Sequence, residues 1–261
     1  MKIGVIGVGK LGSVLFHILN KYYDVVGVDK YDDFSVLSGC DVVFNVVNTP
    51  SKKNGEFSNK YLFESIRQAK PYLNCKLFVV VSTVMPGTCY EVADMLDCDV
   101  AYNPEFIKLN SIKKDMENPD FVLIGNCFPY SKILKRIYKE ILKNNAPIKF
   151  MDLKSAELAK ISLNSYITMK IGFANTIGRI SEKLGTNADL ILDAIGTDSR
   201  IGKKYFQPGG AYGGPCFPRD NRAFNKAAIG VLNYSKLTDK INKQVAKEVG
   251  PFSDDEKYQN V

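Results

Sequence analysis

The sequence lacks the paired cysteines and histidines from which most structural metal sites and disulfide frameworks are built. Its six cysteines, at positions 40, 75, 89, 98, 127 and 216, form no CxxC pair, and His17 is the single histidine. Structural zinc sites and secreted disulfide scaffolds both need such spaced pairs. We therefore expect reduced thiols and no metal site, with His17 packed or on the surface rather than catalytic.

Long hydrophobic segments are also missing. The apolar runs, such as 76–84, have the length of a strand, whereas a membrane-spanning helix needs about 20 apolar residues. The N-terminus enters a strand directly, without the apolar region and cleavage site of a signal peptide. We expect a cytoplasmic protein that does not associate with a membrane.

Acidic residues are fewer than basic ones, and 28 Asp and Glu against 35 Lys and Arg give a net charge of +7. Lys132, Lys135, Lys139 and Lys143 fall on the polar side of a predicted amphipathic helix. A solvated helix face explains this pattern better than a nucleic-acid-binding surface. The positive charge favours an anionic small substrate.

The N-terminal segment has the pattern of a dinucleotide-binding turn. An apolar run at 2–6 is followed by Gly7, Gly9 and Gly12 and an amphipathic stretch, which predicts strand, turn and helix. These glycines allow a tight turn, the close approach of a pyrophosphate and the packing of helix on strand. Asp29 ends the next apolar run, where a carboxylate binds ribose hydroxyls and repels a 2′-phosphate. We therefore expect NAD rather than NADP.

Strands and helices then alternate. Further strands are predicted at 41–47, 76–81, 99–102, 121–124 and 148–151, and helices at 59–71, 87–96 and 130–143. This rhythm predicts an α/β fold with a doubly wound parallel Rossmann sheet, whose ligands lie outside the carboxyl ends of the strands. The short gap between Asp29 and Asp41 predicts a trimmed crossover or an irregular loop.

Three predicted loops follow strands at that edge of the sheet. Thr49, Thr83 and Glu105 lie in them and can face a cofactor and a reacting centre. Alternatively, the two threonines cap helices and Glu105 is a surface charge. Position along the chain does not decide between these interpretations.

A proline-free helical pattern runs from Asp152 or Ser155, the two predicted N-caps, to Leu184, before Gly185. At 1.5 Å per residue this helix is roughly 45 Å long, which is typical of an element joining two domains or subunits. We expect a Rossmann domain at 1–152, a smaller all-helical domain at 153–249 and a flexible tail at 250–261.

Polar side chains interrupt the apolar part of this long helix. Lys160 and Asn164 lie one turn apart, and an amine with an amide can stabilise an oxyanion. The alternative is a solvated ion pair between Glu157 and Lys160. Further along, the bidentate fork of Arg200 suits a phosphate or carboxylate.

One cysteine stands in a glycine- and proline-rich loop. In the segment 209–220, GGAYGGPCFPRD, Cys216 lies between two prolines and Asp220 follows four residues later. A thiol at a helix N-terminus beside Arg219 has its thiolate favoured, and Asp220 then stands on the same face. A lone cysteine is more often a buried structural residue. Helices are predicted after it at 221–228 and 236–249.

With these motifs assembled, the chain resembles the UDP-glucose/GDP-mannose dehydrogenase family. The matching segments, in the family's order over about residues 1–248, are GVGKLG, NTPSK, STVMPGT, NPEF, ELAKISLN, DSRIG and GGPCFPRD. The resemblance favours a catalytic Cys216 over a structural one. It implies NAD-dependent, four-electron oxidation of a nucleotide-sugar primary alcohol to a carboxylate, with UDP-glucose as the expected substrate.

The resemblance also implies residue roles. Cys216 is the nucleophile, Lys160 and Asn164 stabilise oxyanions, Asp220 with Thr83 organises proton transfer, and Glu105 acts in thioester hydrolysis. The residues expected at the cofactor are Gly7, Val8, Gly9, Lys10, Leu11, Gly12, Asp29, Lys30, Thr49, Pro50, Thr83, Glu105 and Arg219. Those expected at the substrate are Glu105, Phe106, Lys160, Asn164, Arg200, Tyr205, Gly213 and Cys216.

Assembly is a further implication. The resemblance implies a homodimer through the long helix at 155–184, with Arg200 reaching the neighbouring subunit's substrate. The family's C-terminal nucleotide-binding domain has no counterpart in these residues, so a separate chain supplying it stays open. A second alternative is a β-hydroxyacid dehydrogenase, which transfers a single hydride and shares the Rossmann domain and the Lys-xxx-Asn helix.

Overall fold

The computed structural model describes residues 1–108, 110–125 and 131–250, with the backbone alone at Ser131. Cys127, the predicted helix start near Tyr130 and the predicted tail after Gly250 lie outside the described residues. The chain divides into two compact units, Met1–Lys160 and Ile161–Val261. The division falls inside the long helix, whereas the sequence places a domain boundary at its start.

The first unit is built on a seven-stranded sheet. Its strands are β1 Lys2–Ile6, β2 Asp24–Val28, β3 Val42–Asn45, β4 Leu77–Val80, β5 Asp99–Tyr102, β6 Val122–Gly125 and β7 Ile148–Met151. Their order is β2-β1-β3-β4-β5-β6-β7. The chain runs outward from β1 to β2 and returns on the other side of β1, so the strand order reverses between β1 and β3. This confirms the predicted doubly wound Rossmann fold.

The sheet is not parallel throughout. The first five strands pair in parallel, but β6 pairs antiparallel to β5 through Tyr102 and Gly125, and β7 is parallel to β6. The predicted parallel sheet is thus confirmed for the first five strands, whereas the pairing of β6 with β5 is antiparallel. The connection from β5 to β6 contains one six-residue helix, and the chain enters β6 from the end at which it left β5.

Helices cover both faces of this sheet. They are α1 Lys10–Leu19, α2 Lys60–Ala69, α3 Thr88–Met95, α4 Ile112–Glu117 and α5 Ser131–Ile141. Of these, α4 was not predicted. The gap after Asp29 contains a single 3₁₀ turn, Phe34–Leu37, so the crossover is trimmed as expected. Lys132, Lys135 and Lys139 on α5 are exposed, as predicted, and so is His17 on α1.

Alternate strand residues enter two separate cores. Val43, Phe78 and Val80 belong to one cluster, while Phe44 and Val79 belong to the cluster on the other face. Both faces are buried, which explains why the strands are continuous apolar runs rather than alternating ones.

The second unit is helical in its described residues. The long helix α6, Leu153–Leu184, begins in the first unit and continues into the second, which also contains α7 Ala188–Gly196, α8 Phe217–Ala227 and α9 Ser235–Glu248. Asp152 caps α6 by accepting from Ser155 N at 2.9 Å, so Asp152 rather than Ser155 is the N-cap. At the other end Gly185 adopts φ +66°, the left-handed stop that the sequence predicts. Helix α8 begins at Phe217, not at Asn221 as predicted.

Candidate functional site

The glycine turn after β1 has the geometry of a pyrophosphate cradle. Gly7 adopts φ +89°, and a Cβ at Gly12 would lie 1.9 Å from Gly7 O, so both positions require glycine. Gly9 is the N-cap of α1, and a Cβ there would meet no atom within 4 Å. The space in front of this helix N-terminus is therefore open to a ligand. Val8, Lys10 and Leu11 complete the turn and the first residues of α1.

This turn lies where the strand order reverses. Because the helices that follow β1 and β3 pack on opposite faces of the sheet, a crevice forms outside the carboxyl ends of these strands, and this is where doubly wound sheets bind nucleotides. Asp29 directly follows β2 and is exposed, with one carboxylate oxygen accepting from Lys30 N at 2.8 Å. The Lys30 ammonium stands 5.1 Å from the ring centroid of Tyr31. The residues present thus fit the adenosine and diphosphate portions of NAD.

Two loops at this edge are bonded to each other. Thr49 Oγ1 donates to Thr83 O at 2.6 Å, and Ser82 Oγ donates to Val47 O at 2.5 Å. The N-caps of α2 and α3 are Asn59 and Gly87, so the interpretation of the two threonines as helix caps was wrong. Pro50 follows on the exposed side.

The Glu157 carboxylate is hydrogen-bonded to the loop after β4. Its Oε2 accepts from Gly87 N at 2.5 Å and its Oε1 from Cys89 N at 2.7 Å, and its side chain is fully buried. Burial raises the pKa of this carboxyl, although the two amide hydrogen bonds oppose the shift. A solvated ion pair with Lys160 is therefore excluded. Glu157 anchors the first turn of α3 to α6 instead.

Lys160 points to the loop after β5. Its Nζ donates to Glu105 O at 2.7 Å and stands 4.7 Å from the ring centroid of Phe106. The side chain is buried. A cation placed beside a carbonyl and an aromatic face, with little water around it, can stabilise a developing negative charge. The structure thus brings together three residues that the sequence singled out from two distant segments.

Glu105 is partly buried rather than a surface charge. Tyr138 OH lies 3.3 Å from Glu105 Oε1 and donates to Asn103 Oδ1 at 2.5 Å, while Asn103 Nδ2 donates to Leu123 O at 2.9 Å. Burial raises the pKa of Glu105 to about 7, against the lowering effects of the Tyr138 hydroxyl and the Lys160 charge. A carboxyl that titrates near neutrality suits proton transfer.

Tyr138 and Asn103 are site residues that sequence reasoning missed. Tyr138 lies on the apolar face of α5 and has the spacing of a core residue. Asn103 was seen within the NPEF motif, but nothing in the sequence showed that it orients a tyrosine. Only the packing of α5 against the end of β5 places the phenol beside Glu105.

The raised pKa of Glu105 predicts a pH-dependent stability. Between pH 4.5 and about 7 the folded chain keeps a proton that the unfolded chain releases, so stability falls as pH rises through that window. Glu105→Gln removes this titration. We expect the free energy of unfolding of the variant, relative to that of wild type, to increase by about 1 to 3 kcal/mol between pH 5 and pH 8. Urea unfolding at the two pH values measures the change.

The matched control is Glu182→Gln, an exposed carboxylate on α6. Its stability should follow that of wild type at both pH values. An unchanged difference between Glu105→Gln and wild type across this range would show that Glu105 titrates normally.

In the second unit, the cysteine loop leads into a helix. Cys216 is exposed and is the N-cap of α8, and Asp220 N donates to Cys216 O at 2.8 Å. Asp220 is fully buried and accepts from Asn164 Nδ2 at 2.6 Å and from Arg219 Nε at 3.2 Å. A thiol at a helix N-terminus, one turn from a fixed carboxylate, is the arrangement of an activated cysteine.

Tyr205 and Gly213 flank this loop. Tyr205 adopts φ +60°, the only positive φ of a non-glycine residue in the described ranges, and its ring packs edge-on against Phe217 at 6.1 Å. Backbone strain of this kind is frequent at ligand sites. Gly213 is half-buried just before Cys216. Arg200 lies elsewhere on the surface, where its guanidinium pairs with Asp198 at 2.5 Å.

Over the residues that the structure describes, no helix is long and apolar enough to cross a bilayer. Within the same ranges, no group of three or more His, Cys, Asp or Glu side chains is arranged to hold a metal ion.

Comparison with known proteins identifies relatives of both units. Residues 30–142 match the NAD binding domain, and residues 154–244 the central domain, of the UDP-glucose/GDP-mannose dehydrogenase family. UDP-glucose 6-dehydrogenase of Rickettsia felis (strain ATCC VR-1525 / URRWXCal2) is 34% identical over 196 residues, which cover 72% of this chain and 44% of that protein. The chain thus spans less than half the length of this curated relative.

Solved structures show the same fold. A UDP-glucose dehydrogenase from the hyperthermophilic archaeon Pyrobaculum islandicum superposes with a TM-score of 0.84 at 26% identity, covering 93% of this chain and 68% of that one. The 3-hydroxyisobutyrate dehydrogenase of Mycobacterium tuberculosis superposes with a TM-score of 0.73 over 95% of this chain and 94% of that one. At 13% identity, the second likeness shows the fold alone.

Proposed function

Because this chain belongs to the UDP-glucose/GDP-mannose dehydrogenase family, we propose that it oxidises the C6 primary alcohol of a nucleotide sugar to a carboxylate with NAD, UDP-glucose being the proposed substrate. The observation that carries the proposal is Cys216 at the N-terminus of α8, one turn from the buried Asp220. A simple alcohol dehydrogenase has no use for such a thiol. The net charge of +7 favours an anionic substrate of this kind.

The balanced reaction converts R–CH2OH, two NAD⁺ and water into R–COO⁻, two NADH and three protons. NAD supplies the hydride acceptor in both oxidations. The chain's own part is to hold it: the turn at Gly7, Gly9 and Gly12 receives the diphosphate on the N-terminus of α1. Asp29 bonds the adenosine ribose and excludes a 2′-phosphate by charge.

Covalent catalysis by Cys216 follows the first oxidation. Its thiolate adds to the aldehyde carbon to form a thiohemiacetal, loss of the second hydride gives a thioester, and water then releases the carboxylate and the thiol. Helix α8 favours the thiolate through its N-terminal dipole, Asp220 exchanges the proton, and Thr83 orders the water. The covalent intermediate divides one difficult oxidation into easier steps.

Oxyanions form at the thiohemiacetal and again during thioester hydrolysis. Lys160 supplies a buried cation and Asn164 an amide donor for them. Glu105, with its pKa near 7, takes the proton from the hydrolytic water, and Tyr138 orients its carboxylate.

Assembly through α6 is part of the proposal. Tyr166, Phe173 and Ile180 recur every seven residues along this helix and are 45%, 47% and 46% exposed. An apolar stripe of this spacing fits a helix–helix interface between two copies. In such a dimer Arg200 reaches the neighbouring subunit's substrate. A separate chain that completes the nucleotide site is also part of the proposal, because the matched segment covers 44% of the Rickettsia felis relative.

The test is the number of NADH formed per sugar by the purified chain, with limiting UDP-glucose, GDP-mannose and UDP-N-acetylmannosamine in turn. Two NADH per sugar with one of them are expected, together with one equivalent of carboxylate. One NADH per substrate and no carboxylate would overturn the proposal in favour of a β-hydroxyacid-type dehydrogenase. NAD binding without turnover would fail the proposal for this chain alone and favour an NAD-binding subunit that needs a separate chain.

A further inference from the structure

Both ends of the cysteine loop meet at one carboxylate. Tyr212 stands four residues before Cys216, and its hydroxyl donates to Asp239 Oδ1 at 2.8 Å. Asn221 follows Cys216 in α8, and its Nδ2 donates to the same oxygen at 2.9 Å. Asp239 on α9 thus connects the two ends of the loop that contains Cys216.

The side chains that meet at Asp239 are buried and hydrogen-bonded. Tyr212 and Asn221 are 3% and 0% exposed. Asn221 Oδ1 accepts from Ser165 Oγ at 2.9 Å and from Thr168 Oγ1 at 3.2 Å, both on α6. A buried polar group without a partner is costly, so each member of this network specifies the position of the next. The network links α8 to both α6 and α9.

The main chain of the loop is held as well. Tyr212 N donates to Asn242 Oδ1 at 2.7 Å, and Asn242 Nδ2 donates to Tyr212 O at 3.0 Å. Asn175 on α6 holds the two preceding glycines in a similar way. Its Oδ1 accepts from Gly209 N at 2.8 Å, and its Nδ2 donates to Gly210 O at 3.1 Å. Since Asp239 and Asn242 lie one turn apart on α9, one helix fixes both the side chain and the main chain of Tyr212.

We propose that Asp239 is a positioning residue for Cys216, acting through Tyr212 and Asn221. The proposal rests on the role of Cys216 as the nucleophile. Residues 213–216, which directly follow Tyr212, are half-buried or exposed, so their position depends on the hydrogen bonds that hold the two ends of the loop. Asp239 keeps the thiol at the N-terminus of α8, where the helix dipole favours its ionised form.

The decisive experiment measures the thiol itself. Cys216 is alkylated with iodoacetamide at pH 6 to 10 and followed by peptide mapping, which gives the pH midpoint of its reactivity without any substrate. Tyr212→Phe removes only the hydroxyl and keeps the ring packed against Ile171. We expect the midpoint to rise by about 0.5 units or more, and kcat to fall about fivefold with KM for NAD unchanged.

Further variants separate positioning from stability. Asp239→Ala should act like Tyr212→Phe, while Asp239→Asn keeps an acceptor oxygen and should restore most of the wild-type midpoint. Asp193→Asn, an exposed carboxylate on α7 paired with Lys203, is the matched control and should change nothing. If Asp239→Ala does not fold, Tyr212→Phe decides alone.

The outcomes distinguish this inference from the proposed function. A raised midpoint in Tyr212→Phe supports the positioning role even where the wild-type chain shows no turnover, a result that would fail the proposed function only. A folded Tyr212→Phe with the wild-type midpoint and kcat overturns the role of Asp239 and leaves the proposed function standing.

Discussion

Replacing Cys216 by alanine is expected to lower the rate of carboxylate formation at least about 1,000-fold. Without the thiol no thioester forms, so the second oxidation loses its covalent route, while the glycine turn that holds NAD is untouched. The side chain is exposed at the start of α8, and its removal should not destabilise the fold. NADH, carboxylate and NAD affinity measured together check this expectation.

Cys98→Ala is the matched control for this variant. Cys98 is half-buried and contacts Cys75 at an Sγ–Sγ distance of 3.2 Å, in the first unit. It should retain wild-type stoichiometry. Two NADH per sugar from Cys216→Ala at the normal rate would remove the thiol from the mechanism and return Cys216 to a structural role.

Lys160→Met is the second large effect that we expect. Methionine preserves the apolar stem of the buried side chain but removes the ammonium that stands beside Glu105 O and the Phe106 ring. Loss of one preorganised oxyanion donor costs about 100- to 1,000-fold in kcat. KM for NAD should stay close to the wild-type value.

The same substitution gives a second, independent readout. The Lys160 charge lowers the pKa of Glu105, so its removal should move the pKa of Glu105, and the limb of the pH–rate profile that reports it, to higher pH. Lys154→Met, on the exposed side of the same helix near Tyr90, should change neither quantity. A kcat within threefold of wild type would exclude Lys160 from oxyanion stabilisation.

Local patterns predicted most elements of the fold because they depend on nearest neighbours. The glycine turn, the apolar strands and the proline-free run of α6 each follow from steric and hydrophobic preferences over a few residues. They fix where strands and helices begin and end within a few positions. They do not fix strand direction, and β6 was predicted parallel although it pairs antiparallel to β5.

The site residues divide in the same way. Cys216, Asp220 and Glu105 were predicted because motifs place them near strand or helix ends, and Lys160 because it is a polar position in an apolar stretch of the long helix. Their roles remain predictions. Tyr138 was missed because its helical spacing is that of a core residue. Its place in the site depends on a long-range contact within the first unit, that of its hydroxyl with Glu105.

Sequence alone thus determined a dinucleotide-binding Rossmann unit, a long helix and a glycine- and proline-rich loop that contains Cys216, because each is encoded by contiguous residues. Tertiary structure decided the environment of each polar group. Glu157, which the sequence allowed as a solvated partner of Lys160, is buried and binds the amides of Gly87 and Cys89. Asp239 joins residues on either side of Cys216. Burial and long-range hydrogen bonds set these positions, and neither is visible in a local pattern.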